Sequence, residues 1–283
     1  MHETTTADAL REQLREWRLA GDHVALVPTM GNLHAGHTSL IDIARQHAER
    51  VVVSVFVNPT QFGEGEDYDQ YPRTLDRDKR HLKLAKADLL FAPDVETMYP
   101  FGIDSATSVT VPALTGDLCG SLRPGHFDGV TSVVSRLFSL VQPDVAVFGQ
   151  KDYQQQLVIR RMTEDLNLPI RIVMGPTVRD SDGLALSSRN QYLSDEERKV
   201  APKLYETLQK LAENIDAGWR DYDELEKMAV QDLEEAGFLP QYVSIRRASD
   251  LAEPQEKTPE LVILAAAQLG EARLIDNVLV STT

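Results

Sequence analysis

Two histidines three residues apart, His34 and His37, stand in "PTMGNLHAGH" over residues 28–37, among Gly31, Ala35 and Gly36. Imidazoles can donate hydrogen bonds to anionic oxygens and stabilise negative charge that grows in a transition state. Small residues let a ligand come close to the backbone. A helix starting just after Gly36-His37 would aim unpaired N–H groups and the positive end of its dipole at the preceding strand tip, an arrangement that suits phosphate. Two other readings of this stretch stay open: a zinc pair, and a polar turn whose histidines are satisfied locally. Zinc needs a third ligand, and no cysteine or carboxylate lies close in sequence.

Three further segments carry polar groups of useful type. In "FVNPTQF", residues 56–62, Asn58 and Gln61 follow an apolar run. Amides both donate and accept, which suits a neutral or carboxylate-bearing substrate with hydroxyls, though a strand-ending turn would use the same residues. "LRPGHF" offers Arg123 and His126, and "FGQKDYQQQ" offers Gly149, Gln150, Lys151 and Asp152. A lysine at a strand tip is either a phosphate partner or a solvated cation. Of Gln154, Gln155 and Gln156, one would face a cleft and the others would pack or lie on the surface. "DGLALSSRNQYLS", residues 182–194, sets Ser187, Ser188 and Arg189 together. Two hydroxyls and a guanidinium make a clamp for phosphate oxygens, or else a helix cap beside a surface ion-pair partner.

These groups need elements to position them. "ADALREQLREWRLA" has apolar residues at helical spacing, and "HVALVPT" reads as a buried strand ending at Pro28. "HTSLIDIARQHAER" reads as a helix. "RVVVSVFVNP", residues 50–59, is the clearest strand, β-branched and stopped by Asn58-Pro59. Strand, turn, helix and strand in that order make a right-handed crossover unit of a parallel sheet. The alternation continues through "DLLFAP", "GVTSVVSRLFSLVQP", "DVAVFG", "QQQLVIRRMTEDLNLP" and "IRIVMGPTV". The spacing predicts a doubly wound, Rossmann-like α/β domain over residues 1–178, with ligands beyond the carboxyl ends of its strands. Helices over residues 195–213 and 221–236 follow. The strands "QYVSIRRA", "ELVILAAAQ" and "ARLIDNVLV" then complete a smaller α+β domain over residues 179–283.

Composition narrows the partners. The net charge is −15, from 29 basic and 44 acidic residues, so nucleic acid is an unfavourable partner. No apolar run is long enough for a membrane helix, and the N-terminus lacks a secretory pattern. One cysteine, Cys119, cannot form an internal disulfide, which predicts a cytoplasmic protein.

Taken in order, "PTMGNLHAGH", "FVNPTQF", "YPRT", "MYP", "RPGHFDGV", "FGQKDYQQ", "DGLALSSRN" and "ARLIDN" resemble the pantothenate synthetase (pantoate–β-alanine ligase) family. The first of them resembles the "HIGH" signature of the nucleotidyltransferase superfamily. The resemblance implies ATP-dependent condensation of pantoate with β-alanine through a pantoyl adenylate, releasing pyrophosphate and then AMP, with Mg²⁺ accompanying ATP. It implies that Met30, Gly31, Asn32, Leu33, His34, Ala35, Gly36 and His37 line the ATP site, with His37 and His34 supporting the departing charge. Gly149, Gln150, Lys151 and Asp152 would also contact ATP, Lys151 neutralising phosphate charge. Val178 would offer backbone groups to adenine, and Leu186, Ser187, Ser188 and Arg189 would close over the triphosphate. Gln61 and Gln155 would hold pantoate, Gln61 would also place β-alanine, and Asn58 would join the substrate pocket. A homodimer is implied as well, with "VVVSVFV" either an edge strand or a core strand. Two positions depart from some relatives: Cys119 where they have an acid, and Gln150 where they have Glu. The alternatives are a small-molecule nucleotidylyltransferase of the same superfamily, whose pocket would need extra cations, and a non-catalytic nucleotide sensor.

Overall fold

The computed structural model describes residues 1–63 and 65–282. It divides into two compact units, one of residues 1–149 and 158–176, the other of residues 150–157 and 177–283.

The first unit is built on a six-stranded sheet in which every pairing is parallel, in the order β1-β4-β3-β2-β5-β6. Its strands are β1 (His2–Thr4), β2 (Val24–Thr29), β3 (Arg50–Val55), β4 (Leu89–Phe91), β5 (Val145–Gly149) and β6 (Arg171–Gly175). Between them run α1 (Ala7–Ala20), α2 (Ala35–Ala44), α3 (Leu75–Leu84), α4 (Val95–Met98), α5 (Cys119–Leu122), α6 (His126–Val141) and α7 (Tyr153–Asp165). Alternate strand residues face opposite sides. Val24, Leu26, Val52, Leu89 and Phe91 therefore pack with Leu10, Leu14 and Trp17 of α1 and Val130, Val134 and Phe138 of α6. Ala25, Val27, Val51, Val53 and Leu90 pack with Leu40 and Ile41 of α2 and Leu82 of α3. Burial on both faces explains why these strands read as continuous apolar runs.

The chain order reverses at β2, which has β3 on one side and β5 on the other. The crevice at the carboxyl ends of β2 and β5 is the topological switch point, where ligands bind in such sheets. Strand β3 is interior, so the run "VVVSVFV" supplies no free edge.

The second unit contains α8 (Asp195–Val200), α9 (Lys203–Asp216) and α10 (Tyr222–Glu235) and an antiparallel sheet of β7 (Leu239–Arg247), β8 (Glu260–Leu269) and β9 (Ala272–Ser281). Leu204, Leu208, Leu211, Leu225 and Leu233 of the helices bury against Val243, Ile245, Leu261, Ile263 and Leu274 of the sheet.

Two details depart from expectation. Residues 195–213 form two helices, because Pro202 has no N–H to continue the first. Strand β1 went unpredicted because three residues carry too little pattern; its pairing to β4, His2 beside Leu89, creates it.

Candidate active site

The loop after β2 is held from below by one buried carboxyl. Asp78 of α3 accepts the backbone N–H of Asn32 at 3.0 Å and of Leu33 at 2.8 Å, and the Thr74 hydroxyl at 3.1 Å. Gly31 and Asn32 both have positive φ, +82° and +51°. A side chain at Gly31 would press on Asp78 Oδ2 and Val55 at 3.1 Å. His81 Nδ1 lies 3.1 Å from the Leu33 carbonyl, and Arg77 donates to the Asn32 amide oxygen. The loop is thus a defined turn built from groups in α3.

Helix α2 starts at Ala35, two residues earlier than expected, with His34 as its N-cap. The Gly36 N–H donates to His34 Nδ1 at 3.1 Å, and the His34 N–H donates to His37 Nδ1 at 3.3 Å. The two rings therefore satisfy part of the helix start themselves, so the terminus offers fewer bare amides than the sequence suggested. Because each Nδ1 accepts, the proton of each neutral ring sits on Nε2. The ring centroids lie 4.1 Å apart. Two imidazole Nε2–H donors are thereby gathered on one turn at the switch point.

Asn58 caps a short helical turn after β3, and Gln61 is the last residue of that turn. Asn58 is buried and its amide is fully engaged. Its Nδ2 donates to Gln61 Oε1 at 3.2 Å and to the Gly129 carbonyl at 3.1 Å, and its Oδ1 accepts from Tyr99 at 2.6 Å and Thr60 at 3.1 Å. The expected direct contact of Asn58 with substrate thus has no amide hydrogen left to make it. Its part is to hold Gln61, whose Nε2 lies 3.0 Å from Met30 Sδ. Burial pushes the Tyr99 phenol above its ordinary value, against a smaller opposing effect of Thr60, so it stays a donor to Asn58.

The backbone of Gln61 is fixed too. His126 Nδ1 lies 2.8 Å from the Gln61 carbonyl, and Arg123 Nη1 lies 3.0 Å from His126 Nε2. Arg123 grips Glu66 with two bonds, at 2.6 and 2.5 Å. Helix α6 comes so close that a methyl group on Gly129 would sit 2.3 Å from the Thr60 carbonyl oxygen and 2.6 Å from the Gln61 nitrogen. Gly129→Ala is expected to lower stability by about 2 kcal/mol, since backbone cannot yield as a side chain would. Denaturant titration would check this, and an unchanged midpoint would contradict the packing.

In the second unit, Gln150 to Asp152 form a short turn into α7. Gln154 and Gln156 are buried and Gln155 is half-buried. Arg179 and Ala185 bridge a tight hairpin, and the Leu186 N–H donates to the Val178 carbonyl at 2.9 Å. Ser187 caps the turn Ser188–Tyr192 by accepting from the Arg189 N–H at 3.2 Å. Lys151 and Ser187, far apart along the chain, line one small cavity with Asn190, Tyr205 and Asp276. The family resemblance also implies that these two residues serve one nucleotide. The sequence does not mark Asp78, Tyr99, Asp276 and Asn277 as supports.

A profile of the family described as pantoate-beta-alanine ligase matches residues 2–279. The chain belongs to the pantoate-β-alanine ligase family. It is 54% identical over 280 residues to a pantothenate synthetase from Ectopseudomonas mendocina, covering 99% of this chain and 98% of that one. The crystal structure of pantothenate synthetase from Thermus thermophilus matches with a TM-score of 0.92 and 48% identity, over 98% of this chain and 99% of that one. The pantoate-β-alanine ligase from Francisella tularensis, complexed with beta-gamma ATP and β-alanine, matches with a TM-score of 0.81 and 31% identity, over 99% of this chain and 97% of that one. Ligation of pantoate to β-alanine is thus the reaction to which this geometry has to answer.

Two positions set apart by the resemblance to this ligase family have a structural context. Cys119 is half-buried against the core of the first unit. Gln150 donates its amide to Asn277 Oδ1 at 3.2 Å, a bond that a glutamate could not donate.

The Glu66–Arg123 pair gives this ligase a pH signature. Burial pushes the Glu66 carboxyl up, but the Arg123 hydrogen bond and charge outweigh it and hold it below the ordinary 4.5. A depressed carboxyl stabilises the fold fully above the unfolded value and loses that contribution as pH falls through its folded value. Wild-type melting temperature should therefore fall as pH drops below 4.5, and more steeply than that of Glu66→Gln. Parallel curves for the two proteins would remove the pair from the account.

Proposed function

We propose that the chain joins pantoate to β-alanine in two steps through a pantoyl adenylate. A carboxylate resists an amine because its leaving group would be an oxide. In the first step a pantoate carboxylate oxygen bonds to the α-phosphorus of ATP, and the bond to pyrophosphate breaks. In the second the β-alanine nitrogen bonds to the acyl carbon, AMP leaves with the C–O electron pair, and the amine gives up a proton. Such a reaction needs positioning and charge neutralisation more than a protein nucleophile.

The observation that carries this reading is the pair His34 and His37, set as N-cap and first-turn residue of α2 at the switch point. Their Nε2–H groups donate to phosphate oxygens, and His37 stabilises the charge that builds on the departing pyrophosphate. Met30 to Leu33, Ala35 and Gly36 shape the nucleotide cradle. Gly149, Gln150 and Asp152 border ATP, Lys151 neutralises phosphate charge, and Val178 meets adenine through its backbone. Leu186, Ser187, Ser188 and Arg189 hold the triphosphate. Gln61 and Gln155 bind pantoate, Gln61 also orients β-alanine, and Asn58 keeps Gln61 in place. Mg²⁺ would enter with ATP and neutralise phosphate charge, since it keeps much of its water and takes few protein ligands.

The working form is a homodimer in the cytoplasm, as the resemblance and the single cysteine suggest; light scattering in solution would test the first. No helix among the described residues is long and apolar enough to cross a membrane. A net charge of −15 disfavours nucleic acid.

The deciding experiment withholds β-alanine. Exchange of labelled pyrophosphate into ATP is expected with pantoate and ATP alone, with pantoyl adenylate detectable by mass spectrometry. Exchange without pantoate, or none until β-alanine is added, would overturn the adenylate route.

A further inference from the structure

Strand β9 carries two adjacent polar residues, Asp276 and Asn277, in "ARLIDN". They are only 4% and 2% exposed. Burying such groups is costly unless each finds partners, and both do. Neighbouring strand residues point to opposite sides, so this pair reaches two different segments.

Asp276 takes the Arg179 guanidinium with two bonds, at 2.6 and 2.8 Å. Arg179 also donates to the Gly183 carbonyl at 3.1 Å and lies over the Tyr205 ring. This fixes the hairpin that runs from Arg179 to Ala185 and delivers the chain to Leu186. Asn277 Nδ2 donates to the carbonyls of Gln150 at 2.9 Å and Lys151 at 3.0 Å, and its Oδ1 accepts from Gln150 Nε2. The backbone that carries the Lys151 ammonium is thereby tied to the last strand. Lys151, Ser187 and Asp276 line the same cavity of about 10 Å³, room for a single water.

A buried ion pair adds little net stability over a well-packed apolar pair. What it supplies here is geometry: its Arg179 end holds the Gly183 carbonyl of the hairpin that leads to Leu186, while the neighbouring Asn277 holds the backbone of Gln150 and Lys151. We propose that Asp276 and Asn277 are positioning residues that set Lys151 and the Ser187–Arg189 segment for ATP. The proposal rests on the reading of Lys151 and Arg189 as nucleotide-binding groups, and extends it to the C-terminal strand.

The test uses full-length protein in pantoate-dependent pyrophosphate exchange, with Asn277→Ala, Asp276→Asn, Lys151→Ala and the Asn277→Ala/Lys151→Ala double variant. Misplacing a reacting group by an ångström can cost about 10²-fold, and Asn277→Ala should lose exchange on that order. KM for ATP should rise while KM for pantoate stays within about twofold. In the Lys151→Ala background the same change should cost less than about twofold, because it acts through Lys151. Should Asn277→Ala melt below assay temperature, Asn277→Asp keeps the volume while removing both donated bonds, and the same readings decide. Wild-type exchange in the Asn277 variants beside a loss in Lys151→Ala overturns this proposal alone. So does a full multiplicative loss in the double variant. Wild-type exchange in Lys151→Ala overturns the underlying nucleotide-site reading, and this proposal with it.

Discussion

Asp78→Ala is expected to lower stability by about 3 kcal/mol or more, because each buried donor left unpaired costs roughly 1–3 kcal/mol. Three donors lose their acceptor together: the N–H groups of Asn32 and Leu33 and the Thr74 hydroxyl. Asp78 is fully buried, so water cannot replace it without the interior opening. The loop above it is already held in an unfavoured conformation, since Asn32 has a positive φ of 51° without being glycine. Released from Asp78, that backbone would relax towards ordinary angles and carry His34 with it. Turnover should fall about 10²-fold from misplacement alone. Asp78→Asn keeps one acceptor, so its losses should lie between those of wild type and the alanine variant. Urea titration with steady-state kinetics on both variants would show this, and an active, stable alanine variant would refute the clamp.

His37→Ala is expected to lose about 10²–10³-fold in kcat, the range seen when one donor to a developing charge is removed. Its cost in stability should be smaller, about 1 kcal/mol, the usual loss when a capping interaction is removed, here the one His37 makes with His34. That contrast separates catalysis from structure. If the Nε2–H acts chiefly as charge builds on pyrophosphate, kcat and kcat/KM for ATP should fall together. His37→Gln, which can place an amide N–H near the position of Nε2, should recover part of the loss. A variant with unchanged kcat and raised KM would make His37 a ground-state contact only.

Both residues were exposed to sequence reading in unequal measure. His37 stands out by type, since an imidazole beside small residues after an apolar strand suits an anionic ligand. Asp78 does not. In "LDRDKRHL" it sits among charges on a helix that looks solvated, and Asp76 two positions earlier has the same appearance. Only the packing of α3 beneath the loop turns one of the two inward. For Asn58 the sequence suggests contact with substrate, and it cannot show that Tyr99, Thr60 and Gly129 take up its amide. The segment 195–213 shows the same limit locally, since apolar spacing ran on through Pro202 while the helix did not.

The sequence by itself determined most of the elements, the parallel sheet followed by a smaller α+β unit, and the residue types from which a phosphate site can be made. Those follow from periodicity and from turn chemistry, which act over a few residues. The tertiary structure alone decided which polar groups became supports. Asp78 bonds residues 45 and 46 positions away, and Asn277 bonds residues 126 and 127 positions away. A hydrogen bond is satisfied by whatever the fold brings within about 3 Å, and no local pattern records that choice.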